Sequence, residues 1–290
     1  MHPATSLILF TTLSGLGFGL LIFLGLGMPP VTGWVAFAFF AIAYALAVGG
    51  LLSSVFHLGH PERALKAFTQ WRSSWLSREA WAASGVLSVM AVFGAGLVFA
   101  GERIAPLGWL GALGAAGTVL ATSMIYAQLK TVPRWNHWST PSLFLLHAVA
   151  GGALLAGQSA AAILLLVILG TFQLWVWSDG DVRFERSSTT LATATRLTGG
   201  ALRAFEQPHT GPNYLTREMI HVVGRRHARK LRAIGLSLAV ILPAAILALL
   251  PFSHALAGIA VLSHIAGSLV NRWLFFAEAE HVVGLYYGQR

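Results

Sequence analysis

The sequence predicts an all-α, polytopic membrane helix bundle of about eight transmembrane helices, and three observations carry that expectation. First, the segments 5–27, 33–56, 80–100, 107–129, 141–177 and 233–270 contain no Lys, Arg, Asp or Glu. A helix on a soluble globular surface keeps a polar face, whereas about 20 apolar residues suffice to cross the ~30 Å hydrocarbon layer. Second, charged residues make up 10% of the 290 and hydrophobic ones 56%, against ~25% charged in soluble domains. Third, the +9 net charge sits in the connections. There its natural counterparts are lipid headgroups or an acidic partner rather than nucleic acid.

Apolar runs read against turn signals place the spans at 5–27, 33–56, 79–100, 107–129, 141–157, 160–177, 232–251 and 254–275. Gly27-Met28-Pro29-Pro30 separates the first two, Glu102 and Arg103 mark the third-to-fourth connection, and Pro251-Phe252-Ser253-His254 the last. The fifth and sixth share one uncharged stretch, with Gly157-Gln158-Ser159 as the turn, and merging them gives a seven-span alternative. Met1, His2 and Pro3 precede the first span without a basic n-region, so that span is expected to be retained rather than cleaved. The expected organisation is a single transmembrane domain, 1–290, with a basic extramembrane insert at about 178–231.

With both termini on one face, that face receives 18 of the 19 Lys and Arg residues, leaving Arg103 opposite. The positive-inside rule then makes it cytoplasmic. The alternative is that the basic insert is a docking surface whose charge misleads the rule. Within the insert, Ser187 to Phe205 carries Leu191, Ala194, Leu197, Ala201, Leu202 and Phe205 at helical spacing, the pattern of an amphipathic helix. Thr216 to Lys230 reads as a second, basic one. Such helices lie at lipid headgroups or grip a peripheral subunit, and spacing does not separate these roles.

Cysteine is absent, which removes thiolate chemistry and iron–sulfur ligation. Charged groups in or beside the bilayer are costly and therefore candidates for function. The richest window is His57-Leu58-Gly59-His60-Pro61-Glu62-Arg63-Ala64, followed by Ser77-Arg78-Glu79-Ala80-Trp81. Gly59 and Pro61 end the second helix just past His57, and Glu79 is expected to open the third, where the helix dipole favours a carboxylate. A His and a Glu at the lipid–water boundary suit a quinone, whose ring oxygens need hydrogen-bond partners and a proton carrier. Spacing alone serves equally a capping Glu79 and a snorkelling His57.

A second cluster closes the fourth span: Tyr126, Lys130, Thr131-Val132-Pro133-Arg134-Trp135 and Trp138-Ser139-Thr140-Pro141. Aromatic residues belong at membrane interfaces whatever the function, so a structural belt explains it. Asn271, Arg272 and Phe275 form a third set. His147 and His264 lie inside spans and read as packing residues, with no haem expected.

His57-Leu58-Gly59-x-Pro61-x-Arg63-Ala64, Leu76-Ser77-x-Glu79, Tyr126, Thr131-Val132-Pro133-x-Trp135, Trp138-x-Thr140-Pro141 and Arg272 with Phe275 together resemble the membrane-anchor subunits of dimethyl sulfoxide reductase. The likeness covers everything but the 178–231 insert and extends to the anchors of cytoplasmic sulfite-oxidising complexes and, more distantly, of polysulfide reductase. It implies a multi-pass subunit of the bacterial inner membrane with no haem or metal of its own. Its implied partners are a molybdopterin catalytic subunit and a four-cluster ferredoxin-like iron–sulfur subunit, and it would exchange electrons with menaquinol or ubiquinol. The implied quinone-binding set is His57, Glu79, Arg63, Ser77 and Tyr126. Candidate docking cations are Arg72, Arg78, Arg225, Arg226, Arg229 and Lys230. The long basic insert, His60 and Glu62 depart from the shared pattern, leaving the partner's substrate open. A transporter is the competing class, but the spans lack the paired broken helices of such proteins.

Overall fold

The structure, a computed structural model, describes residues 1–197, 199–206, 209–220 and 223–288. Among these residues there are helices and no strands. The apolar helices are α1 (Thr5–Leu26), α2 (Gly33–Val55), α3 (Trp75–Ala100), α4 (Ala105–Ala127), α5 (Ser139–Leu155), α6 (Ser159–Arg186), α7 (Arg225–Leu249) and α8 (His254–Ala277). Seven are long and apolar enough to cross a bilayer, while α5, at 17 residues, is shorter.

Helix α1 is the hub. Of its most apolar stretch 72% is buried, and it packs on α2, α4, α5 and α8. Lipid tails are as apolar as side chains, so helices in a bilayer associate through close packing of small residues. Gly17 seats against Ala43 and Ala47 of α2, and Gly19 of α1 meets Ala148 and Gly152 of α5. A β-carbon at Gly19 would overlap the Ala148 carbonyl.

Several helix ends differ from the sequence expectation. Helix α6 runs to Arg186, beyond the expected end at 177, because Asp179 pairs with Arg183 and Arg186 and carries the helix out of its apolar stretch. The amphipathic helix expected over 187–205 does not form. A single turn, Leu191–Thr195, stops where Arg196 takes φ 57°, and Gly199 and Gly200 follow at 97° and 71°. That expected helix also passes through Thr198, outside the described residues. The basic segment 216–230 is likewise broken. Leu215–Met219 is a separate turn, α7 starts at Arg225, and His221 and Val222 lie outside the described residues, as does Arg290 of the tail.

The insert folds back over one end of the bundle. Tyr286 donates to the Ala194 carbonyl at 3.0 Å, Asn213 Nδ2 to the Tyr287 hydroxyl at 3.1 Å, and the His2 amide to the Glu218 carbonyl at 2.8 Å. The Met1 amine donates to the Ala279 carbonyl at 2.7 Å, so the entry to α1 and the exit of α8 meet at that end.

Candidate functional site

Helix α3 begins at Trp75, with Ser74 as its extended N-cap, so Glu79 is the fifth helical residue and not the opening one. This corrects the expectation that the helix dipole holds it, because that effect fades beyond the first turn. Glu79 is instead 2% exposed, turned into the bundle. Thr122 of α4 hydrogen-bonds its Oε1. The same hydroxyl lies 3.1 Å from the Thr118 carbonyl in its own helix. One hydroxyl proton cannot satisfy both acceptors. The Thr122 rotor is therefore tied to the proton on Glu79: donating to a carboxylate, or to Thr118 when the carboxyl itself donates.

One turn further along α4, Tyr126 is buried among the rings of Trp135, Phe144, Phe275 and Phe276 at 5.4–5.8 Å. Its phenol lies within electrostatic reach of both Glu79 and Arg272. Arg272 of α8, 6% exposed, stacks its guanidinium 3.7 Å over Phe144 and 5.6 Å from Phe275. No ion pair reaches it among the described residues. A desolvated cation–π contact contributes about 2 kcal/mol, less than the several kcal/mol that burying an ion costs. The single hydrogen bond at Glu79 contributes ~1.5–3 kcal/mol and likewise falls short. Two ionisable groups of opposite type thus sit inside the bundle with incomplete compensation, which makes them candidates for function.

A narrow cavity reaches Arg272 of α8 and Thr122 of α4, the partner of Glu79, and is bounded also by Thr12 and Leu16 of α1 and by Phe144 and His147 of α5. Ser268, which also lines it, stands 3.4 Å from a ring nitrogen of both His147 and His264. Gln173 lies 3.4 Å from the other side of His147, and His264 Nδ1 is 2.7 Å from the Ala239 carbonyl.

The other expected site residues fall elsewhere. His57 is exposed in the turn after α2, with its amide on the Ser54 carbonyl at 3.1 Å. No hydrogen bond or ion pair joins it to Glu79. Ser77 is 2% exposed, but its hydroxyl donates to the Ala67 carbonyl and accepts from the Gln70 amide at 3.2 Å, pinning the 57–74 loop to α3. Arg63 is exposed, 3.9 Å from Glu62.

The candidate docking cations divide in two. Arg78 donates to the Trp71 and Arg72 carbonyls at 3.0 and 2.8 Å and stacks on Trp75, and Arg225 pairs with Glu280 at 2.5 Å. Both hold the chain's own loops. Arg72, Arg226, Arg229 and Lys230 are exposed. Beside them Arg134 and Arg232 each bind both Asp181 and Glu278 at 2.6–3.0 Å, a closed four-charge ring tying the α4–α5 loop, α6, α7 and the end of α8.

Sequence reasoning missed this ring and the roles of Thr12, Thr122 and Ser268. The spacing Thr118, Thr122, Tyr126 was a signal, a polar stripe at every fourth residue of an otherwise apolar helix.

An all-helical apolar bundle with buried charges near one end and a basic, loop-covered rim defines a multi-pass membrane subunit of the anchor type. The chain belongs to the family described as DMSO reductase anchor subunit (DmsC), which matches residues 1–288. It is 33% identical, over 324 aligned positions covering 99% of both chains, to the C subunit of the sulfite dehydrogenase of Allochromatium vinosum. No solved structure matches it.

Proposed function

We propose that this chain anchors a molybdopterin oxidoreductase complex in the bacterial inner membrane, with both termini in the cytoplasm, and exchanges electrons there with the quinone pool. The observation that carries this reading is Glu79. It is a carboxyl 2% exposed inside an apolar helix, held by the Thr122 hydroxyl, which has a second acceptor in the Thr118 carbonyl. Quinol oxidation releases two electrons and two protons, so a docking site needs a group that takes a proton beside a ring oxygen. In this reading Glu79 serves that oxygen and His57, at the rim, the other. The electrons leave to the iron–sulfur subunit, since a chain without cysteine supplies no thiolates for a cluster. Arg72, Arg226, Arg229 and Lys230 offer that subunit an exposed basic rim.

The sulfite dehydrogenase relative supports a specific second reading of direction and substrate, in which the catalytic partner oxidises sulfite and quinone is the acceptor. Both readings share the Glu79 chemistry. The test is binding of a fluorescent quinol analogue to the purified complex in nanodiscs, with Glu79→Gln and His57→Ala variants. Loss of at least tenfold in affinity with all subunits retained is expected. Unchanged binding in both variants sinks the site. Sulfite-dependent reduction of the analogue, against its oxidation by dimethyl sulfoxide, separates the two directions.

A further inference from the structure

Glu79 and Arg272 are buried ionisable groups of opposite type, neither with a direct counter-ion among the described residues, and Thr122 connects them: it bonds Glu79 and lines a cavity that Arg272 also lines. Thr12 of α1, 4% exposed, completes the wall with a hydroxyl that has no hydrogen-bond partner. One orphan hydroxyl, that of Thr12, and the guanidinium N–H groups of Arg272 on one small space call for a ligand that both accepts and donates. The free space admits about one water, which excludes a quinone ring or a lipid headgroup. Buried waters typically make about three hydrogen bonds, and the Arg272 guanidinium, the Thr12 hydroxyl and a spare lone pair on Thr122 supply three.

We propose that this cavity binds one ordered water that, together with the Thr122 hydroxyl, bridges Arg272 to Glu79 as a separated ion pair. The donors then run in one direction, from the guanidinium to the water, from the water to Thr122 Oγ1, and from Thr122 to the Glu79 carboxylate. Arg272 is thus a positioning residue: it sets the balance between charged and protonated Glu79 without touching it. When Glu79 takes up a proton the chain reverses at Thr122, whose hydroxyl turns to the Thr118 carbonyl. The other titratable groups nearby are Tyr126 of α4, His147 of α5, which lines the same cavity, and His264 of α8. The bridge forms whether or not a quinone docks, so its failure and that of the quinone site are separate outcomes.

The test is infrared spectroscopy of the full chain in lipid nanodiscs at neutral pH, with the protonated-carboxyl band of Glu79 identified by its loss in Glu79→Gln. Arg272→Gln should raise the protonated fraction about tenfold or to saturation, and Arg272→Lys should restore most of the wild-type value. Thr12→Val, which keeps shape and removes the hydroxyl, should shift the band position and fraction partway, and Thr12→Ser should not. This second pair keeps the test decisive if Arg272→Gln fails to fold. An unchanged band in Thr12→Val together with an unchanged or unmeasurable Arg272→Gln overturns the proposal. So does a high-resolution density map with no peak between Arg272 and Thr12.

Discussion

Arg134 and Glu278 lie 144 positions apart in the chain and 2.7 Å apart in space. Glu278 is 5% exposed and also holds Arg232, so its removal strips two guanidinium groups of a shared partner. Glu278→Gln should lower stability by about 2 kcal/mol, less than the ~3–5 kcal/mol of a wholly buried pair because Asp181 still binds both arginines. Thermal unfolding in detergent measures it, and the Arg134→Gln, Glu278→Gln double variant should lose less than the sum.

Thr122 separates a hydrogen-bonding role from a packing one. Thr122→Val should leave a buried carboxyl without its hydroxyl, a penalty of ~1–3 kcal/mol, and weaken quinol-analogue binding about tenfold. Thr122→Ser keeps the oxygen and should bind as wild type. Equal binding in both would show that the hydroxyl does not matter to the site.

Close packing of α1 on α5 has its own test. Gly19→Leu drives a side chain into the Ala148 carbonyl and Gly152. Overpacking of this kind costs about 1–3 kcal/mol. Here the obstacle is backbone, which cannot turn aside, so the chain should aggregate or fail to extract as a monodisperse species on gel filtration. Gly49, with open space around it, is the control: Gly49→Ala should behave as wild type.

Docking and folding cations should part experimentally. Reversing Arg226, Arg229 and Lys230 to Glu should abolish co-purification of the iron–sulfur subunit at physiological salt while the anchor itself extracts normally. Arg225→Gln should instead lower anchor stability, because it frees Glu280 from an ion pair at 2.5 Å.

His137, in the α4–α5 loop, should titrate below its ordinary 6.5, pushed down by burial and by the nearby Arg183. Its Nδ1 sits 3.0 Å from the Ser139 hydroxyl and 3.3 Å from the Ser139 amide, which donates to it at the start of α5. With the folded pKa below the unfolded one, the unfolded chain takes up the proton first, so stability falls as pH drops through about 6.5. Thermal midpoints between neutral and acid pH should show that slope in the wild type and a shallower one in His137→Asn.

Hydropathy located the apolar helices because a bilayer imposes a minimum length and makes charge costly, constraints that act on each segment alone. The α8 limits, expected at 254–275 and found at His254–Ala277, show how tight that constraint is. Where charge resumes the constraint lapses, which is why α6 outran its expected end and the insert helix vanished at Arg196.

Composition and hydropathy alone were enough for the class of protein and its charge asymmetry, and they singled out Glu79 as a candidate because it stands at the edge of an apolar run. The tertiary structure decided what Glu79 faces. Thr122, Thr12 and Arg272 come from three helices far apart in the chain, and no spacing rule relates them. Their meeting depends on the close α1–α5 packing at Gly19 and on how each helix is rotated about its own axis. A few degrees of that rotation, set by side-chain packing over the whole bundle, separate a shared cavity from three unrelated hydroxyl and guanidinium groups facing lipid.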